Sequence, residues 1–377
     1  MIVKLESVIS EYSTRNKQDE DIPVYSVTNE QGFCTGYFNK DVSSKDRTNY
    51  KIVPYGYFAY NPSRINVGSV DWQHYEDRVI VSPLYVVFKV GKLIDQRYLL
   101  HYLKSDVALT MIKATASGSV RDNLKFTSLQ EFQINLRDVE EQRKIADVLD
   151  EIDNLLELHK QEIAILDELV KSRFIELFGD VISNNKLWPL HMLSEISSSR
   201  LGKMLDAKQQ TGLCSYPYLA NFNVQWFKFN IEELNQMDFD DADRIEFELK
   251  DGDLLVCEGG EIGRCAVWHN EIQPCFFQKA LHRVRCDRNV IHPDYLAWWF
   301  KYQCDHNGFS AIAGAKATIA HLPGVKLKQL QVAVPPLELQ QQFAAFIAEV
   351  DKSKLAVQQG LQELETLKKS LMQQYFG

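Results

Sequence analysis

Apolar positions follow a helical period over two long stretches of the chain. From Asp138 to Gly179 there is no Pro and no internal Gly, and Ile145, Val148, Ile152, Leu156, Ile163, Leu166, Val170 and Leu177 recur at three-four spacing. That spacing places one stripe along a single helix face. Asp138 and Glu141 read as a capping-box start, and Phe178-Gly179 as a stop, because Gly takes the left-handed position after a helix at low cost. A helix of this length is a rod of about 60 Å. The C-terminal stretch after Pro335-Pro336 repeats it without a gap: Gln142 meets Gln340, Ala146 meets Ala344, Asp153 meets Asp351, and Phe178-Gly179 meets Phe376-Gly377. A lone amphipathic helix cannot bury its stripe. The sequence therefore predicts two rods paired as a coiled coil through Ile145, Val148, Ile152, Leu156, Ile163 and Leu166 of the first and Val350, Val357, Leu364 and Leu367 of the second.

Short-period runs fill the rest. Before the first rod come IPVYSVT, GFCTGYF, YFAY and a strong β run from Arg78 to Val90, then a helical run over 95–115 and a last short strand, FQINL. Residues after the first rod repeat this order. LKDGDLLVCEGGEIGRCAV stands against IVPYGYFAYNPSRINVGSV, with Gly56 opposite Gly252 and Gly68 opposite Gly263, and IHPDYLAWWFKY stands against IDQRYLLHYLKS. The fold class expected is α/β (α+β): two globular domains, residues 1–137 and 181–334, each followed by a long helix, 138–180 and 335–377, with the two helices antiparallel in a pseudo-twofold repeat. The loops differ most between the halves, which points to distinct specificities carried on a duplicated scaffold.

Composition changes little in this picture. Hydrophobic content of 45% and aromatic content of 11% suit packed domains. No apolar run approaches membrane-spanning length and the N-terminus has no signal-peptide pattern, so a soluble, cytoplasmic protein is expected. Seven Cys without framework spacing read as reduced thiols. The net charge of −9 sits mostly on the first rod, where residues 139–180 carry 5 basic against 12 acidic side chains. The globular halves are near neutral, which leaves nucleic-acid binding open, with a partner supplying much of the phosphate attraction.

Several enzyme chemistries lack their residues. Gly91-Lys92 and Gly202-Lys203 have neither the upstream Gly nor the following hydroxyl of a P-loop. Tyr60-Asn61-Pro62 is followed by Ser63-Arg64 rather than Pro-aromatic, as an amino-methyltransferase motif would require. Glu248-Leu249-Lys250 resembles part of a nuclease metal site without a well-placed preceding Asp. Cys257, Cys265, Cys275 and Cys286 with His269 and His282 contain no CxxC pair, the tight spacing that pre-arranges zinc ligands. No catalytic and no metal residue is assigned.

Two loops per half carry side chains suited to base edges. The first half offers Asn61, Arg64, Asn66 and Ser69, then Ser119, Arg121, Asn123 and Lys125. The second offers Glu258, Glu261 and Arg264, then Lys316, Thr318 and His321. Arg can pair with guanine, Asn with adenine, and Glu can accept from the cytosine amine. Gly and Ser allow close approach to phosphate. Ordinary solvated turns are the competing account of the same residues.

Taken whole, the chain resembles the specificity subunit of type I restriction-modification systems. The marks are the two matched halves, the GDLLVCEGGEIGR segment, the turns PPLELQQQFA and LRDVEEQRKIA entering the rods, and the Phe-Gly rod ends; Arg137-Asp138 stand where Pro335-Pro336 do in the second copy. The resemblance implies that each domain reads one half of a bipartite double-stranded DNA site. The rods would set the spacer and dock two modification (methyltransferase) subunits, and motor-nuclease subunits would add restriction. It also implies that this chain catalyses nothing and binds no cofactor. S-adenosylmethionine, and ATP and Mg for restriction, would belong to the partners. A coiled-coil adaptor tethering two modules that do not bind DNA is the alternative.

Overall fold

The computed structural model describes residues 1–36, 47–116, 123–206, 210–309 and 321–377. The chain divides into two units, one made of residues 1–162 with 357–377 and the other of residues 163–356. Both divisions fall inside the long helices Val139–Phe178 and Leu337–Phe376, so each unit contains part of each rod.

In the first unit a four-stranded antiparallel sheet takes the order Ile9–Tyr12, Val86–Val90, Phe58–Tyr60, Val70–Trp72. Ile2–Lys4 pairs antiparallel with Gln133–Asn135, Val3 opposite Ile134, and so ties the start of the unit to the segment entering the first rod. The expected β run from Arg78 to Val90 is two strands, not one. Arg78–Val81 pairs with Lys51–Pro54, while Val86–Val90 joins the four-stranded sheet. Pro83, which has no N–H for a ladder, lies in the break between them. The expected helical run is likewise two helices, Gln96–Leu103 and Asp106–Ala116. Ser105 separates them, its Oγ accepting from the Ala108 N–H at 3.2 Å, as a side chain at a helix start does.

The second unit repeats the frame. Its four-stranded antiparallel sheet runs Ser197–Leu201, Leu281–Cys286, Asp253–Cys257, Cys265–Val267, and Leu190–Met192 pairs with Gln331–Ala333. The helix Pro293–Asp305 packs its buried Tyr295, Leu296, Trp299 and Phe300 on this frame. What differs is the inserted material. The second unit adds a three-stranded sheet of Asn235–Asp238, Ser215–Leu219 and Phe276–Phe277, whereas the first carries the hairpin Ser26–Thr28/Gly32–Cys34.

The joints between rods and domains are built twice from the same parts. Gln142 and Gln340 are both fully buried. Gln142 Oε1 accepts from the Asp95 N–H at 2.8 Å, and its Nε2 donates to the carbonyls of Leu93 (2.9 Å) and Arg137 (2.8 Å). Gln340 repeats this with His292 N–H at 2.8 Å and the carbonyls of Val290 (3.2 Å) and Pro335 (2.8 Å). The hydroxyls of Tyr98 and Tyr295 donate to the carbonyls of Asn135 and Ala333. At the other end of each rod, Phe376 packs against Tyr98 with ring centroids 5.1 Å apart, and Phe178 against Tyr295 at 4.7 Å. Each unit therefore holds the beginning of one rod and the end of the other.

The rods run over Val139–Phe178 and Leu337–Phe376. Asp138 Oδ1 accepts from the Glu141 N–H at 2.9 Å, while the Glu141 carboxylate is taken by Arg137 rather than reaching back to close the capping box. Gly179 has φ +73, and a Cβ there would collide with the Asn185 side chain. Of the expected interface residues, Ile145, Ile152, Leu156 and Val350 are buried, and Ile163, Leu166, Val357 and Leu364 are half-buried. Val148 and Leu367 are corrections: they are 43% and 48% exposed. The buried face of the first rod near its start runs Gln142, Ile145, Ala146, Leu149, Ile152, one residue round from Val148. Near its end the second rod is packed through Leu371, Met372 and Phe376 instead of Leu367. Within the first unit Lys368 pairs with Asp153, and a Cβ on Gly360 would come within 3.0 Å of His159 Nε2. Within the second, Lys354 lies 2.6 Å from Asp167, and the Phe174 and Phe343 rings are 5.5 Å apart.

Candidate nucleic-acid interface

In the first unit the connection between strands Phe58–Tyr60 and Val70–Trp72 carries Asn61, Arg64, Asn66 and Ser69. Two of these shape the loop. Asn61 Oδ1 accepts from Ser63 N–H at 3.1 Å and from Ser63 Oγ at 2.9 Å, an Asx turn that starts the loop. Ser69 is buried, and its hydroxyl donates to the Val27 carbonyl at 2.6 Å. Arg64 is exposed and Asn66 half-buried. Arg64 and Asn61 line a concavity of about 320 Å³ with Ser26, Thr28, Asn29 and Tyr85. Asn123 and Lys125, both exposed, flank Leu124, whose N–H donates to the Pro62 carbonyl at 3.0 Å. Tyr60 Oη donates to the Leu124 carbonyl at 3.1 Å. The two candidate loops of this half thus meet at Leu124; Ser119 and Arg121 lie outside the described residues.

The second unit makes the same junction. Leu322, the counterpart of Leu124 in the repeat, donates its N–H to the Glu258 carbonyl at 2.7 Å, and His321 bridges antiparallel to Gly259. The Leu322 carbonyl lies 2.9 Å from His282 Nε2. A carbonyl can only accept, so Nε2 carries the proton. Burial pushes the His282 pKa down, against a partial lift from that same bond, which favours the neutral ring. His282 thus does for the second half what Tyr60 does for the first.

Glu258 is half-buried, and its own N–H is bonded to the Ala280 carbonyl at 3.0 Å. Glu261 is exposed, with one carboxylate oxygen receiving the Trp226 indole N–H at 2.6 Å and the other 3.5 Å from Arg264. Arg264 is turned inward. Its guanidinium donates to Asn221 Oδ1 at 2.7 Å and to the Asn221 carbonyl at 3.1 Å, and Asn221 Nδ2 returns a bond to the Gly259 carbonyl at 2.8 Å. Burial pushes the neighbouring Cys257 thiol up in pKa, with the Arg264 charge acting the other way. His321 is exposed, while Lys316 and Thr318 lie outside the described residues. Asn221 and Trp226 are not legible as site residues from sequence. Neither lies in a loop singled out by its residue types, and only their arrival beside the 258–264 loop gives them a role.

Among the described residues, no three His, Cys, Asp or Glu side chains group as a metal site, and no helix is long and apolar enough to cross a membrane. The arrangement offers hydrogen-bonding side chains on paired, anchored loops, in duplicate.

Known proteins share this organisation. A putative specificity subunit of the MjaX type I restriction enzyme from Methanocaldococcus jannaschii is 26% identical over 176 residues, 46% of this chain and 41% of that protein. The chain thus spans less than half of that relative's length. The EcoKI type I specificity subunit of Escherichia coli K12 is 21% identical over 335 residues, 83% of this chain and 72% of that protein. A solved type I restriction-modification S subunit from M. genitalium shares the fold with a TM-score of 0.58 at 15% identity, covering 100% of this chain and 96% of that one. A chain from a structural study of complex assembly and conformational transition in the type I R-M system gives 0.56 at 15% identity, covering 100% and 97%. The profile of the type I restriction modification DNA specificity domain matches twice, over residues 6–168 and 185–366, and the chain belongs to that family.

Proposed function

We propose that this chain is the sequence-reading subunit of a type I restriction-modification complex, each globular domain recognising one half of a bipartite DNA target. The observation that carries this reading is the duplicated loop junction: Leu124 to Pro62 in one unit and Leu322 to Glu258 in the other put two polar loops side by side on matching frames. Different residues then stand at the same place in the two copies, as two different half-sites require.

In this reading the domains are residues 1–137 and 181–334 and the spacer helices 138–180 and 335–377. The helices pair as an antiparallel coiled coil. Two ion pairs support that direction: going forward along the first rod, from Asp153 to Asp167, takes the partner back along the second by the same step, from Lys368 to Lys354. A rod of about 60 Å exceeds one DNA turn of about 34 Å, so half-sites separated by a spacer lie within reach. The rods also dock the methyltransferase subunits, which bring S-adenosylmethionine and flip the target adenine. Motor-nuclease subunits bring ATP and Mg. The chain itself catalyses nothing.

Single-molecule methylation sequencing of cells with and without the gene tests this. The expected result is loss of one bipartite adenine-methylation motif. Loss of no such motif counts against the reading.

A further inference from the structure

We infer that Glu261 is the base-discriminating side chain of the second domain, accepting from the N4 amine of a cytosine, and that Trp226 and Arg264 are positioning residues that fix its carboxylate; this rests on the DNA-reading function proposed above.

The described candidates of the 258–264 loop are not equivalent. Arg264, the residue type most often seen on guanine, has its guanidinium committed to Asn221 Oδ1 and to the Asn221 carbonyl, and its side chain is only 17% exposed. Turning it outward would break both bonds and release the turn that Asn221 closes through its bond to the Gly259 carbonyl. Glu258 is half-buried, with its N–H and carbonyl tied to Ala280 and Leu322. Glu261 is the opposite case. Its side chain is 51% exposed, yet the Trp226 indole N–H holds one oxygen at 2.6 Å and Arg264 stands 3.5 Å from the other.

A carboxylate has about four lone-pair sites, so one strong bond leaves acceptor capacity free toward solvent. An acceptor-only group complements a base edge that presents a donor, and the cytosine amine is the standard match for Glu in the major groove. A carboxylate already held in one geometry loses less side-chain entropy on docking than a free one. The Arg264 cation beside it eases its approach to DNA, while Lys301, itself paired with Asp305, lies with its Nζ 5.1 Å from the Trp226 ring centroid. Trp226 itself is set by the tight hairpin that pairs Val224–Gln225 with Lys228–Phe229.

The test is methylation sequencing of cells carrying the intact complex with the wild-type chain, Glu261→Gln or Trp226→Phe. Gln offers a donor beside its acceptor and suits adenine N6 and N7. Glu261→Gln should therefore change one position of the half-site read by the second domain, from cytosine toward adenine, with discrimination shifted on the order of 10-fold. The other half-site and the spacer should stay as they are. Trp226→Phe should keep the motif but admit other bases at that same position. An unchanged motif and unchanged methylated fraction in Glu261→Gln overturn the inference. If that variant modifies no site, competition binding of the purified complex to duplexes substituted at each position decides: a loss confined to one C·G pair supports it, a uniform loss overturns it. If no bipartite motif depends on the wild-type chain, the DNA-reading function itself falls.

Discussion

The buried glutamine at the start of each rod gives a quantitative test of how rod and domain are joined. Gln142→Leu keeps most of the side-chain volume but removes three hydrogen bonds. It leaves the Asp95 N–H and the carbonyls of Leu93 and Arg137 without that partner in a site from which water is excluded. A buried group left unsatisfied costs about 1–3 kcal/mol, and the added apolar contact returns about 1 kcal/mol. With three groups at about 1 kcal/mol each, the lower end of that range, the net loss is roughly 2 kcal/mol or more, a large share of the roughly 5–15 kcal/mol that holds a domain folded. Gln340→Leu should cost nearly the same, because it removes the matching three bonds. Urea unfolding of the full chain, followed by far-UV circular dichroism and by tryptophan fluorescence, measures both variants. Five of the six Trp lie between residues 163 and 356, so fluorescence reports mainly on the second unit and should respond more to Gln340→Leu. A loss below about 0.5 kcal/mol in both variants, within ordinary surface-substitution effects, would refute this role for the buried glutamines.

Three further outcomes follow from the same joints. Phe178→Ala should destabilise the chain by about 3–5 kcal/mol and Phe376→Ala by somewhat less. Phe178 is fully buried between Tyr295 and Phe343 while Phe376 keeps 7% of its surface exposed, and thermal unfolding checks the order. Burial alone would raise the Asp150 pKa, but hydrogen bonds and charge from His101 and Arg97 outweigh it and hold the pKa below its usual value. Such a depressed carboxylate contributes stability that is present above its unfolded pKa, about 3.9, and is lost as pH falls through the lower folded value. Melting temperature measured from pH 6 to pH 3 should therefore fall less steeply in Asp150→Asn than in wild type, and identical slopes would contradict the assignment. Inserting one helical turn at matched points of both rods should lengthen the spacer of the methylated motif and leave both half-sites unchanged; altered half-sites with an unchanged spacer would refute the ruler.

The rods and the duplicated frame are legible in the sequence because their signals are periodic. A three-four stripe survives sequence divergence. An ungapped echo that includes the non-stripe Gln142 and Gln340 does not arise from amphipathicity alone. Within the stripe, the face is less well marked. Val148 and Leu149 both fit a helical period, and which one is buried depends on what the rod packs against. The β run from Arg78 to Val90 reads as too long because continuous β propensity hides a change of sheet, and Pro83 is the available sign of it. The two loops of each half meet through one backbone bond, but residue type does not separate exposed side chains from clamps. Arg264 and Ser69 look suited to DNA by composition, yet their polar groups are taken by Asn221 and by the Val27 carbonyl. Those partners lie 43 and 42 residues away in sequence, at distances where no local pattern speaks.

The two joints share a skeleton and differ in their filling, and that difference separates what duplication needs from what it leaves free. Both keep the buried Gln, the Tyr hydroxyl on a strand carbonyl and the Phe at the rod end, which are the groups that fix the rod's direction and register on its domain. Around them the first joint is ionic: Arg97 reaches Asp147 at 2.7 Å and Asp150 at 2.9 Å, and His101 Nε2 lies 2.8 Å from Asp150. At the matching positions the second rod has Ala345 and Ala348, and Trp298 replaces His101. The second joint is correspondingly aromatic, with Phe174, Phe178, Trp298 and Phe343 linked by ring contacts. Partly exposed ion pairs weaken with acid and salt, whereas ring packing does not. The first joint therefore rests on partly exposed charges that acid and salt weaken, whereas the second, although His292 and Asp294 lie 3.5 Å apart within it, rests mainly on ring packing.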